Sequence, residues 1–142
     1  MADRVTTEVR SRNMARIRSR DTKPELRLRS ALFARGLRFR VCRRDLPGQP
    51  DIVFPRERVA VQVRGCFWHQ HEGCRHARVP DSNGGYWGPK LERTVTRDAA
   101  NDEILRGLGW DLRVIWECEM RTAVAVDEIA ANIERDVWLR RD

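Results

Sequence analysis

Between Gly65 and His76 the chain reads GCFWHQHEGCRH, and no other stretch restricts the available folds so strongly. Cys66-x4-His71-x2-Cys74 offers three soft or borderline ligands from one loop, whereas tetrahedral zinc takes four when all are protein groups. Cys118, at the end of the run GWDLRVIWEC, is the best fourth. A structural Zn²⁺ held by Cys66, His71, Cys74 and Cys118 would staple the loop to a distant strand end. Two alternatives stay open: Cys118 as a small buried apolar side chain, and His76 in place of His71. Cys42 is read as a packing residue.

A reducing compartment favours metal binding or catalysis over disulfides for these cysteines. The opening MADRVTTEVRSRN contains no apolar segment, so neither a secretory signal nor a membrane span is expected, and the cytoplasm is the expected location. At 142 residues a single domain, 1–142, is the simplest expectation, and 41% hydrophobic content with five tryptophans suits a globular fold. Net charge is +7, which makes an acidic partner, nucleic acid first, the natural candidate. Only Lys23 and Lys90 are lysines, however, so an arginine bias of genomic origin also accounts for the charge.

Repeats and linkers are absent, and the elements follow from periodicity. Residues 6–20 read as a helix whose apolar groups, Val9, Met14 and Ile17, are too sparse for a core. An arm lying against DNA, residues 1–20, or a frayed end, is the expectation. Thr22 and Glu25 form a T-x-x-E capping pattern, Leu28, Ala31 and Leu32 continue the helix, and Gly36 ends it. Leu37, Phe39 and Val41 alternate with arginines as a strand, and DIVF is a second strand after the LPGQP turn. Val59, Val61 and Val63 then alternate with Ala60, Gln62 and Arg64. A Gly/Pro loop to Pro89 precedes a helix expected over 90–108. A strand follows through Trp110, Leu112, Val114 and Trp116, with both tryptophans read as core. Thr122 caps a last helix with Val126, Ile129, Ala130, Ile133 and Val137 on its apolar stripe. This order implies a three-layer α/β domain with a central mixed sheet.

Pro50-Asp51 opening a strand, followed by a hairpin ending Gln62-Val63-Arg64, resembles the nuclease pattern PD…(D/E)-x-K. A carboxylate and a carbonyl at sheet level hold Mg²⁺ against a phosphate, and a nearby cation offsets charge. Asp51 fits the first slot and the Val63 carbonyl a second. Gln62 replaces the usual acid, and Arg64 stands where lysine would. Proline–aspartate pairs also commonly just start strands. His69 is left over by the zinc set, which suits a general base or acid, or a solvent-exposed histidine.

Together RSRNMARIRSRDTKPELRLRSALFARGLRFR, LPGQPDIVF, GCFWHQH and GWDLRVIWEC strongly resemble the very-short-patch mismatch-repair endonucleases (Vsr), over roughly residues 10–120. The resemblance implies a restriction-endonuclease-like fold with a structural zinc. It further implies Mg²⁺-dependent nicking of double-stranded DNA on the 5′ side of the thymine in a T·G mismatch, by what is expected to be a monomer. Position by position, Asp51 matches the metal-binding aspartate, His69 the catalytic histidine and Glu25 an acid near the active site. Cys66, His71, Cys74 and Cys118 match the zinc ligands. Phe67, Trp68 and Trp87 match aromatics that wedge into the duplex, and Met14 a residue entering the minor groove. Arg97-Asp98 also matches, placing Arg97 among the DNA-binding residues. The family often carries histidine or aspartate at Arg64 and asparagine at Thr94, so Arg64 either pairs with Asp51 or binds the scissile phosphate.

For each of these groups an ordinary structural role competes. Glu25 is fully used by a capping box with Thr22, and Phe67 and Trp68 would also serve in a core, whereas burial of Trp87 in its loop is harder to arrange. Adjacent Phe67 and Trp68 point opposite ways in an extended chain, and Trp87 falls in the GGYWGP loop. A mismatch stacks weakly and deforms cheaply, which gives wedging aromatics something to select. Besides mismatch nicking, two readings remain: a Vsr-like nickase with an altered, restriction-type or non-specific target, and a zinc-braced DNA-binding module without catalysis.

Overall fold

The structure is a computed structural model that describes residues 22–79 and 84–141, with 84–86 as backbone only. The expected N-terminal arm, including Met14, lies outside the described residues. Helix α1, Lys23–Ala34, starts where Thr22 accepts the Glu25 amide N–H at 3.5 Å, with Pro24 in its first turn. It ends in Gly36, whose φ of +85° lets the Leu37 amide reach back to the Leu32 carbonyl.

Strands β1 (Arg40–Val41), β2 (Ile52–Phe54), β3 (Val59–Arg64) and β4 (Asp111–Trp116) form one sheet in that order. The first two pairings are antiparallel and β3–β4 is parallel, so the sheet is mixed. β1 is shorter than the Leu37–Val41 alternation predicts. Cys42, at φ +51°, turns the chain away, while Leu37 and Phe39 still pack inward, Phe39 edge-on to Phe54.

The period-2 alternation of β3 sorts the two faces of the sheet. Val59, Val61 and Val63 meet Leu28 and Leu32 of α1 and Val126, Ala130, Ile133 and Val137 of helix α3 (Ala123–Leu139). Thr122 caps α3 by accepting the Ala125 amide N–H at 3.0 Å. On the other face Ala60 and Leu112 pack with Leu105 of helix α2 (Gly84–Gly107), flanked by Trp110 and Val114. Among the described residues this is a helix–sheet–helix layering with three α-helices and four strands. No helix among them is long and apolar enough to cross a membrane.

Helix α2 begins before the expected 90–108 and contains Pro89. Proline forfeits one helical hydrogen bond, a defect cheapest near a helix start. Buried Leu91 and Leu105 anchor the helix at either end of its inward stripe. Trp87 therefore sits on a helix, not in a loop.

Candidate active site and metal centre

The cleft opens at the end of the sheet where β2 begins and β3 finishes. Asp51 precedes β2 on the same side of the sheet as Gln62 and Arg64, and its Oδ2 accepts the Val63 amide N–H at 2.6 Å. About 880 Å³ of space lies above it, bounded by Glu25 from α1 and Thr94, Arg97, Asp98 and Asn101 from α2. Trp68, His69 and Lys90 form the rim.

Three charge pairs flank the floor of this cleft. Arg29 donates to Glu25 at 3.1 Å, His69 Nδ1 lies 2.6 Å from Asp98 Oδ2, and Arg64 donates to Asp102 at 2.6 Å. Asp51 is left over: only 7% exposed, it has no cationic side-chain partner among the described residues. Burial, followed by repulsion from Glu25, pushes its carboxyl up to about 7, although the Val63 amide and the charges of Arg29 and Arg64 act the other way. Two buried carboxylates with an unspent negative charge are a donor set suited to a hard divalent cation. Gln62, read as a weak oxygen ligand, donates its amide to the Gly48 carbonyl at 2.9 Å and so ties the turn before Asp51 to β3.

Glu25 combines the two roles left open for it. Its backbone serves the cap, while its carboxylate accepts from the Thr22 hydroxyl at 3.2 Å and from Arg29 as it lines the cleft, 2% exposed. Arg64 does not pair with Asp51 as one alternative had it, because Asp102 on the facing helix takes its guanidinium. On sequence alone Asp102 has no place in the site and Asp98 no role beyond its match within the Arg97-Asp98 pair. They stand one helical turn apart on the inward stripe bounded by Leu91 and Leu105. That polar interruption of a buried stripe is the sequence signal that would have found them.

The loop after β3 is wound rather than extended. The His69 and His71 amides reach back to the Gly65 and Cys66 carbonyls, and Gln70, at φ +49°, stands between the two histidines. His69 thus faces the cleft while His71 faces the cysteines. Cys66, His71, Cys74 and Cys118 place their ligand atoms within 4.8 Å of one another. His71 Nδ1 lies 3.7 Å from the Cys66 sulfur and 3.4 Å from that of Cys118. A tetrahedron with ordinary Zn–S and Zn–N bonds has N···S edges of about 3.5 Å, so the set fits such an ion. Without a cation, burial pushes the Cys66 thiol up to about 12, and the His76 backbone N–H lowers Cys74. His76 lies outside the cluster and meets Arg121. Trp116, expected in the core, instead stacks on the His71 ring at 4.1 Å and 7°. Cys42, expected to be packing only, lines the cleft and takes a contact from Arg29 at 3.6 Å.

Winding also brings Phe67 and Trp68 to the same side, against the extended-chain expectation. With Trp87 they form a trio of edge-to-face rings, centroids 5.3–5.4 Å apart, and all three are half-buried. Lys90 lies about 6 Å from two of these rings, at cation–π range. Arg97 is exposed on the cleft wall.

Comparison with known proteins identifies the family of the chain. The profile of the family described as DNA mismatch endonuclease Vsr matches residues 2–75. The chain is 44% identical over 133 residues to a type II nicking enzyme, V.XorIIP, of Xanthomonas oryzae pv. oryzae, covering 94% of this chain and 97% of that enzyme. It is 37% identical over 139 residues to the DNA mismatch endonuclease Vsr of Escherichia coli K12, covering 98% and 88%. A type II nicking enzyme of Neisseria meningitidis, V.NmeAIP, is 35% identical over 137 residues, 96% of this chain and 97% of that one. With such identity along nearly its whole length, the chain belongs to the Vsr family of DNA mismatch endonucleases.

Proposed function

We propose that this chain is a DNA endonuclease that nicks one strand of a duplex at a T·G mismatch, 5′ of the thymine, in a Mg²⁺-dependent reaction carried out by a monomer. Family membership supports the endonuclease. The observation that carries the reading is Asp51, among the described residues the one buried cleft carboxylate left without a cation where three neighbouring pairs are satisfied.

In this reading Asp51 and the Val63 carbonyl hold Mg²⁺, beside the second carboxylate of Glu25. When bound, the ion supplies Lewis acidity toward a phosphate oxygen and lowers the pKa of water. His69, with its Nδ1 fixed by Asp98, presents the opposite ring nitrogen to the cleft as the group that moves a proton. Arg64 adds fixed positive charge toward the phosphate, and Arg97 contacts the backbone at the wall. Phe67, Trp68 and Trp87 enter the duplex beside the mismatch, where weak stacking makes deformation cheap, while Met14 contacts the minor groove. Zn²⁺ held by Cys66, His71, Cys74 and Cys118 keeps that loop rigid, and the fit of the sulfur–nitrogen distances to a zinc tetrahedron supports the assignment.

Strand-labelled duplexes carrying T·G or matched T·A pairs, with and without Mg²⁺, test the reading. Nicking should require the ion and favour the mismatch by about tenfold or more, the value of one to a few kcal/mol of deformation. Equal cutting of both duplexes would favour a nickase with another target, the second reading. Arg64 and Thr94 support it, as do relatives named type II nicking enzymes. A protein that binds duplexes and never nicks would overturn both. His69→Ala should lower the rate about a hundredfold or more with binding retained, as expected for a lost proton-transfer group. An unchanged rate would remove His69 from the mechanism.

A further inference from the structure

We propose that Asp102 is a positioning residue that diverts the Arg64 guanidinium from Asp51 and so keeps Asp51 available to a divalent cation. The inference rests on the reading of Asp51 as the cation-holding carboxylate and asks why Arg64, a permanent cation on the same face of the sheet, does not neutralise it.

Arg64 is the last residue of β3, on the same face as Gln62, and it lines the cleft at 7% exposure. An arginine at this depth stays charged and must find an acceptor, because its guanidinium cannot shed its proton. Three carboxylates surround the floor within reach of its field. Glu25 already has Arg29 at 3.1 Å. Asp51, which the charge of Arg64 makes more acidic, accepts only the Val63 amide N–H among the described residues. Asp102 wins the contact at 2.6 Å, from a position on α2 that does not itself line the cleft. The Arg64 guanidinium is therefore tethered to the helix behind the wall rather than to the acid in front of it.

The same helix holds His69 through Asp98, one turn earlier. A single inward stripe of α2 thus fixes two groups around Asp51 without touching it. Loss of Asp102 frees Arg64 to form a buried, bidentate-capable pair with Asp51, the geometry arginine favours with a carboxylate. That pair competes directly with any divalent cation. A merely structural role for the Arg64–Asp102 bridge predicts something different: loosening of α2 that removal of Arg64 would only worsen.

Zinc-loaded protein titrated with Mn²⁺, reading free ion by electron paramagnetic resonance, separates these outcomes without relying on turnover. Asp102→Asn and Asp102→Ala should each weaken Mn²⁺ binding about tenfold or more, the range for partners that orient a metal's surroundings. Arg64→Ala combined with Asp102→Ala should restore affinity to within a fewfold of the parent. An unchanged midpoint in the single variants overturns the proposal, as does a double variant at least as weak as Asp102→Ala. Asp51→Asn serves as the control: if it binds Mn²⁺ as the parent does, the Asp51 site itself is wrong. A loss confined to Asp51→Asn leaves that site standing and removes only the role of Asp102.

Discussion

Asp51→Asn reduces nicking about 10³-fold or more and at the same time stabilises the metal-free protein above neutral pH. On the proposed reading, the first effect follows from losing the carboxylate that holds Mg²⁺, an ion that supplies several kcal/mol to the transition state of such a reaction. The second follows from the environment that makes Asp51 useful. Its carboxyl is raised from 3.8 to about 7, chiefly by burial. Between those values the folded state holds a proton that the unfolded chain has released, so this group's contribution to stability falls as pH rises through the window. Above pH 7 the full cost is present, at most about 4 kcal/mol, and below about pH 4 it vanishes. Asparagine has nearly the same shape, can still accept the Val63 N–H, and does not ionise. Thermal unfolding of the metal-free proteins at pH near 6 and 8.5 should show the variant's advantage growing with pH. Mg²⁺ should raise the melting temperature of the parent more at the higher pH and leave the variant unchanged. A variant no more stable than the parent at pH 8.5 would mean that Asp51 carries no such burden. Undiminished nicking would remove it from catalysis.

Such a trade-off marks a site rather than a core, and it explains which parts of the molecule were legible in the sequence. Strand β3 was readable because its alternation has one solution: the valines must face α1 and α3, which leaves Ala60, Gln62 and Arg64 on the other face. Thr22, Gly36 and Thr122 fixed helix ends through local chemistry, and local chemistry is what a sequence displays. The start of α2 was hidden because glycines and Pro89 argue against a helix. Burial of Leu91 and Leu105 and the packing of Trp87 on Phe67 and Trp68 override that preference. Asp98 and Asp102 were hidden for another reason. Carboxylates on a charged helix read as a solvated face, and their partners lie 29 and 38 residues away. Which acid meets which cation is decided only when α2 settles across the sheet. Spacing left His71 and His76 as rivals for the metal cluster; the wound loop, with Gln70 in a left-handed conformation, decides between them.

Removing the proposed Zn²⁺ from the Cys66, His71, Cys74 and Cys118 cluster should abolish nicking while leaving the sheet folded. The main core joins α1, α3 and strands β2 and β3 and includes none of the four ligands. The loop itself buries little beyond Cys66 and Ala77, so its position depends on the link to Cys118, which lies 47 residues from His71. Phe67, Trp68 and His69 ride on that loop, and each loses its placement against α2 once the link opens. Structural zinc sites are worth many kcal/mol to the segments they organise, so Cys118→Ser should lower the melting temperature by about 10 °C or more. It should preserve the far-ultraviolet dichroism of the helices and shift the tryptophan emission, since Trp116 stacks on His71 and two rings of the trio are tryptophans. Readdition of Zn²⁺ after chelation should restore the parent and not the variant. A parent that keeps its rate after complete chelation would show that the packing of the trio alone holds the loop. A cooperative loss of all secondary structure on chelation would place the cluster inside the folding unit rather than on its edge. The expected result separates one element that builds the fold from another that aims it: the core brings Asp51 to the sheet edge, and the loop that the proposed zinc would brace brings His69 and the rings to the cleft above it.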